Sequence, residues 1–355
     1  MLPAHRRTIG LWLALWAAMV LLTVVIGGIT RLTESGLSIT EWKPVSGVLP
    51  PLSASEWEAE FSRYRQIPEY RLHNSGMTLA GFKRIYLVEY VHRLWARLVG
   101  LAFAVPFLVF FARRMLDGPL ARRLGLLLVL LALQGAMGWY MVKSGLTLRT
   151  DVSQYRLAAH LGLALLIYMT TVWTAADLLG DGPTDRRSDR PTEWGGLRGV
   201  VAGFAAYVFI TIVSGAFVAG LDAGKAWNTF PLMGGSVVPP GYGALSPWYL
   251  NLFENPAAVQ FHHRLLGVGV LFGAFALWAA GRRSAPAPAQ RPLAALALLA
   301  VAQAGLGVAT LLLRVPIPIA ALHQAGAVLV LTAAVLALHG LQTTNGRRRA
   351  PAVVI

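Results

Sequence analysis

The chain has 355 residues, 56% of them hydrophobic and only 13% charged, with a mean hydropathy of +0.57. Soluble domains carry about a quarter charged residues, so this composition describes an integral membrane protein. The net charge of +15 does not indicate nucleic acid, because the basic residues fall in short clusters between apolar runs with no DNA or RNA motif among them. The absence of cysteine excludes disulfides, thiolate-ligated heme, iron–sulfur clusters and cysteine-based zinc sites.

A membrane-spanning helix needs about 20 apolar residues. Eight runs qualify, at roughly 9–29, 87–111, 120–142, 156–179, 197–219, 259–281, 292–313 and 317–341. They are far too long for barrel strands, so the expected fold is all-α, with eight transmembrane helices. The first run is long and continues from Gly27-Gly28 into a structured-looking segment, which argues against a cleaved signal. The short stretch before it favours a bacterial inner membrane over an organelle.

Orientation follows from Lys and Arg. One side gathers sixteen of them, in the clusters at Arg6, Arg113, Arg122, Arg186, Arg282 and Arg347. The other side gathers twelve, seven in one long loop, together with nine of the 16 acids. Both termini are therefore expected to be cytoplasmic, with the long loops 31–87 and 220–258 periplasmic. Those loops combine Gly and Pro with Trp and other apolar residues, as in Trp227-Asn228-Thr229-Phe230-Pro231, a composition of ordered caps as well as of interfacial belts.

The chain repeats itself. His92-Arg93-Leu94 in the second run returns as His263-Arg264-Leu265 in the sixth, 171 positions later. Gln134-Gly135-Ala136-Met137-Gly138 in the third returns as Gln303-Ala304-Gly305-Leu306-Gly307 in the seventh, 169 later. His160-Leu161-Gly162 in the fourth returns near His323 in the eighth, 163 later. Each half crosses an even number of times, so the repeat is parallel. The expected organisation is an N-terminal four-helix bundle (1–180), a linker (181–196), a C-terminal four-helix bundle (197–345) and a basic tail (346–355).

Four of the eight histidines, His92, His160, His263 and His323, lie near the starts of even-numbered helices that all enter from one side. Each is expected about five residues in, or about 7 Å deep at 1.5 Å per residue. A lone intramembrane histidine often does no more than hydrogen-bond a neighbouring helix. Two pairs at matching depth in two repeats instead suit bis-histidine heme ligation between helices. Zinc would want further ligands. Small residues nearby (Gly100, Gly162, Gly267 and Gly326) would let a flat macrocycle approach the backbone. His262 is the spare beside His263, and His5, His73 and His339 have no partner in the repeat.

The halves differ at Glu89, three residues before His92, where the repeat places Gln260. A charged group at mid-membrane costs about 2.5–3.5 kcal/mol and marks function by default. Glu89 is either a proton acceptor or donor beside the first heme, or the ion-pair partner of Arg93 one turn on. Arg93, Arg97 and Arg264, near the membrane edge, suit heme propionates, lipid phosphates or plain snorkelling. Beside an oxidase, the residues leave open a diheme b-type electron-transfer cytochrome and a heme carrier. The one-sided acid favours the oxidase, and histidines gathered at one membrane face do not make a conduit across it.

Gly28-Ile-Thr-Arg-Leu-Thr-Glu-Ser-Gly-Leu-Ser-Ile-Thr-Glu-Trp42 and Gly220-Leu-Asp-Ala-Gly-Lys-Ala-Trp-Asn-Thr-Phe-Pro-Leu-Met233 resemble the periplasmic loops of heme A synthases. Glu89-Tyr-Val-His92-Arg93, Glu254-Asn255 and Gln260-Phe-His-His-Arg264 resemble that family's acid–histidine and third-histidine regions, and the likeness covers essentially the whole chain. The resemblance implies that the C8 methyl of heme O is oxidised through hydroxylated intermediates to the formyl of heme A. It implies heme b on His263 and His323, substrate heme on His92 and His160, and Glu89 in the chemistry. It also implies heme O synthase and cytochrome oxidase assembly proteins as partners, beside membrane lipid and an electron donor. Some members carry paired loop cysteines; this sequence is similar to the cysteine-free branch shared with mitochondrial forms.

Overall fold

The computed structural model describes residues 3–43, 46–148, 152–180 and 195–342. Most of the expected linker and the whole basic tail, including Arg186, Arg187, Arg190 and Arg347 to Arg349, lie outside them. The described residues form helices and short 3-10 turns, with no strand among them. Eight helices are long and apolar enough to cross a membrane: α1 (Pro3–Leu32), α4 (Leu79–Ala112), α5 (Gly118–Leu148), α6 (Gln154–Leu179), α7 (Gly195–Gly220), α8 (Pro256–Ser284), α9 (Ala287–Leu312) and α10 (Ile317–Gln342). Two short helices, α2 (Ala54–Tyr64) and α3 (Pro68–His73), occupy the first long loop. The chain is thus an all-α, multi-pass membrane protein.

Local chemistry sets the ends. The Thr78 hydroxyl caps α4 by accepting from the Gly81 amide at 3.2 Å, and Asn255 caps α8 through the amides of Ala257 and Ala258, with Pro256 in the first turn. Ser53 and Glu56 close a capping box on α2. Helix α4 begins at Leu79, several residues before the apolar run near 87. The added turns bury Phe82 and Tyr86 in an aromatic cluster with Phe61, Tyr64 and Leu37 outside the bundle. His92 therefore sits thirteen residues into its helix, not about five, while His160, His263 and His323 sit six or seven residues in, as the sequence suggests.

Each half closes as a ring of four helices, α1-α4-α5-α6 and α7-α8-α9-α10, and the halves meet along α1/α10, α6/α7 and α6/α10. Lipid tails are as apolar as leucine, so packing and polar stitches hold the rings. The indoles of Trp12 and Trp16 on α1 each donate to a carbonyl of α4, Ala102 and Val99, at 2.9 Å, and Trp95 of α4 donates back to Met19 at 3.3 Å. Trp16 lies 4.7 Å, ring centre to ring centre, from Phe103. The halves are not equally tight. Helices α8 and α9 pack along much of their length, whereas their repeat counterparts α4 and α5 barely touch.

Candidate heme sites

All four candidate histidines come to one end of the bundles, two in each half, and each ring rests on a glycine of the preceding spanning helix. A Cβ built on Gly27 of α1 would lie 3.3 Å from Nε2 of His92. One on Gly138 of α5 would lie 3.2 Å from Cε1 of His160, one on Gly215 of α7 3.1 Å from Cε1 of His263, and one on Gly307 of α9 2.8 Å from Cε1 of His323. Any side chain there would displace the ring. These four glycines, and not the four on the histidines' own helices, make the seats. A Cβ on Gly100 or Gly267 would meet nothing within 4 Å, while Phe209 and Val213 lie beside Gly162 and Gln303 beside Gly326.

Hydrogen bonds then fix the rings. The Gln134 amide nitrogen donates to the His160 carbonyl at 3.1 Å and lies 3.3 Å from its Nε2. Its repeat equivalent, that of Gln303, donates to the His323 carbonyl at 2.8 Å and lies 3.1 Å from Nδ1. The Ser214 hydroxyl donates to the Thr211 carbonyl at 2.7 Å, so the 2.8 Å contact with Nδ1 of His263 is one in which the ring donates. That tautomer leaves the Nε2 lone pair of His263 for a metal, the usual way a hydrogen bond at one nitrogen orients an imidazole ligand.

The pair in the C-terminal half fits an axially ligated iron. With metal–imidazole bonds of about 2 Å, and ring centres about 1.1 Å beyond the nitrogen, two axial imidazoles have centres about 6.2 Å apart. Those of His263 and His323 are 6.4 Å apart with planes at 86°. Among the described residues no three His, Asp or Glu side chains converge as a metal site.

Glu89 is 2% exposed and accepts four hydrogen bonds. One carboxylate oxygen takes the Ser38 hydroxyl at 2.6 Å and the Ile39 amide at 2.8 Å. The other takes Nε of Arg93 at 2.9 Å and its Nη2 at 2.5 Å. The ion pair with Arg93 is thus present, and the bonds from Ser38 and Ile39 bind the first long loop to α4. Arg93 extends the latch through Nη2 to the Ile39 carbonyl at 3.0 Å and Nη1 to that of Glu41 at 3.5 Å.

The second half carries the same latch, shifted by 188 in the loop and 171 in the helix. Arg264 donates to the carbonyls of Trp227 at 2.7 Å and Thr229 at 2.8 Å. Gln260, 3% exposed, stands in Glu89's place with the polarity partly reversed. Its nitrogen donates to the carbonyls of Ala223 at 2.8 Å and Trp227 at 3.3 Å, and its oxygen accepts from Arg264 at 3.1 Å. Arg93 and Arg264 are therefore spent on loop carbonyls. His262 hydrogen-bonds the Tyr242 hydroxyl at 2.8 Å, outside either pair.

Fold and site together define a multi-pass membrane protein of two joined four-helix bundles, each with a glycine-seated histidine pair at the same end. A sequence model of the cytochrome oxidase assembly protein family (COX15-CtaA) matches residues 10–335. The chain is 48% identical to heme A synthase of Parvibaculum lavamentivorans over 95% of each chain. It is 49% identical to that of Rhodospirillum centenum over 98% of this chain and 92% of the relative. Its identity to heme A synthase COX15 of Bos taurus is 45%, over 96% of this chain and 83% of the relative. The chain belongs to the heme A synthase family.

Proposed function

We propose that this protein is the oxidoreductase that converts heme O to heme A, with the work divided between its halves. The observation that carries the division is their unequal closure. The C-terminal pair has its ring centres 6.4 Å apart in a bundle whose α8–α9 seam is packed, as suits a resident heme b on His263 and His323. In the N-terminal half the α4–α5 seam beside the pair is loose, as suits a heme O substrate that enters from lipid onto His92 and His160 and leaves as heme A.

A heme b bound by His263 and His323 supplies one-electron redox chemistry. The chain's own residues do the remainder. Gly27 and Gly138 set the depth of the substrate's two ligands, and Gln134 fixes the rotation of His160. Glu89 holds a buried negative charge one turn from His92, where it can accept or return a proton as the methyl is oxidised, with Ser38, Ile39 and Arg93 fixing its two oxygens. The latched loops 33–43 and 221–233 are tied to α4 and α8 beside the histidines, where they would shield the two sites from water.

The basic clusters support a topology with both termini cytoplasmic and the histidine end periplasmic, in a bacterial inner membrane. Heme O synthase and cytochrome oxidase assembly proteins are the partners that this role implies. The test is co-expression with a heme O-forming enzyme, purification in detergent, and mass spectrometry of the extracted hemes. Heme A, or its hydroxylated precursor, beside heme B is the expected result. Heme B alone at two per chain would establish the diheme cytochrome instead.

A further inference from the structure

At the end of the bundles opposite the four histidines, four spanning helices from both halves line an open groove of about 290 Å³, close to the lower limit of about 300 Å³ for small-molecule sites. Its walls are Met169 and Trp173 of α6, Ala205 of α7, and Val335 and Leu338 of α10, with Arg123 of α5 at the rim. Beside it lies a polar cluster with no counterpart in the repeat. Asp177 pairs with Arg123 at 3.0 Å and with Nε2 of His339 at 3.0 Å. The Trp173 ring stands edge-on to His339, centres 5.1 Å apart, and Arg6 donates to the Asp177 carbonyl at 2.7 Å. Asp177 lies in the last turn of α6, where the helix dipole disfavours an acid, and the Arg123 and Arg6 cations compensate it.

The chemistry of the cluster selects among membrane-borne ligands. A phosphate needs a spare cation, but Arg123, the one cation lining the groove, is already paired with Asp177. The hydroxyls of Thr170 and Thr174 are turned onto their own helix carbonyls. What remains is an apolar groove with an aromatic wall and, behind Trp173, an imidazole–carboxylate pair, which matches a flat, uncharged, hydrogen-bonding ring on an isoprenoid tail.

The reaction proposed above, on which this step of the argument rests, needs such a ligand. Taking a methyl to a formyl with water as oxygen source releases electrons: R–CH3 + H2O → R–CHO + 4e⁻ + 4H⁺. With molecular oxygen each hydroxylation consumes them: R–CH3 + O2 + 2e⁻ + 2H⁺ → R–CH2OH + H2O. Either way electrons cross the protein's boundary. We propose that this groove binds a membrane quinone or quinol, the couple QH2 ⇌ Q + 2e⁻ + 2H⁺, with His339 and Asp177 as the groups that exchange its protons. Met169 lies nine residues along α6 from His160, about 14 Å at 1.5 Å per residue.

The test uses the full-length protein with its hemes in detergent, an azido-ubiquinone photolabel, and decylubiquinone as competitor. The expected result is saturable labelling within 165–178 or 334–342, removed by decylubiquinone. Thr170→Trp, which fills the groove, should weaken it at least tenfold with heme content unchanged, and Leu338→Trp approaches the groove from the other wall. Labelling elsewhere, labelling indifferent to both substitutions, or a co-purified phospholipid that labels the groove's place and is not displaced by decylubiquinone would overturn the proposal. Heme A formation is not the readout, so failure here leaves the proposed activity standing, and failure of the activity leaves the binding result readable.

Discussion

Gly307 and His323 are in such close contact that a methyl on the glycine would fall 2.8 Å from Cε1 of the imidazole. Real Cβ atoms do not come that near a ring, and Gln303 holds the histidine backbone from the same helix face. Gly307→Ala must therefore swing His323 off its position. Overpacking of this kind costs about 1–3 kcal/mol, a loss of about 5- to 150-fold in affinity. Heme-to-protein ratio and the Soret spectrum of the purified variant should show loss of the C-terminal heme. Gly27→Ala, with 3.3 Å to His92, should be milder and should spare the C-terminal heme.

Ser214→Ala removes the acceptor of the His263 Nδ1 proton without adding bulk. Losing such an outer partner of a metal-bound histidine typically costs 10- to 100-fold in metal affinity or activity. The expected outcome is a heme b that still binds but dissociates sooner into apomyoglobin, with a shifted midpoint potential. An unchanged off-rate and potential would mean that Ser214 does not set the tautomer.

For Glu89→Gln the four contacts give a definite expectation. All are donors to the carboxylate, so an amide must turn its NH2 toward either Arg93 or the Ser38 and Ile39 pair. The loop over the N-terminal site should loosen, seen as faster amide exchange across 33–43, and heme A yield should fall at least tenfold. The heme on His263 and His323 should be retained. Normal heme A yield from this variant would remove Glu89 from the chemistry.

Asp222 joins the halves through Arg31 at 2.8 Å and also pairs with Lys225 at 3.0 Å. Burial pushes its carboxyl up, but the Arg31 and Lys225 charges outweigh burial and leave it below the usual aspartate range. Its stabilisation is therefore complete above the unfolded value of about 3.9 and is lost as pH falls through the lowered folded value. Asp222→Asn should lower the thermal midpoint at pH 7, by less than about 1 kcal/mol for a group this exposed. The difference from wild type should begin to shrink as the pH drops below about 4 and vanish below the lowered folded value. A gap that persisted undiminished to pH 2 would refute the electrostatic origin.

Much of this architecture was legible because membrane spans, repeats and ligand types are written in local patterns. The eight spans, the four histidines and the Glu89–Gln260 contrast all follow from runs and offsets. The seats were only half legible. Gly138 and Gly307 stand inside repeated motifs, but nothing local says which helix face they present, and Gly27 and Gly215 lie in different local contexts. Ser38 was hidden because its partner lies 51 positions away, joined by a loop. The pairing of His339 with Asp177 spans 162 positions and has no repeat to announce it. The extra turns of α4 were missed because polar residues such as Lys83 and Arg84 end the apolar run while the helix continues outside lipid.

The two arginine latches carry a consequence for how such a protein arises. A bundle copied in tandem starts with two identical pockets, and neither can change without risking the fold of both. Here the arginine bonds to loop carbonyls are the same in both pockets whether the neighbouring position holds Glu89 or Gln260. Replacing one oxygen by an amino group at that single position changes what the pocket can do with a proton while its walls remain standing. A gene duplication built this way can separate an inert copy from a reactive one in a single mutational step, with the arginine latch retained in both.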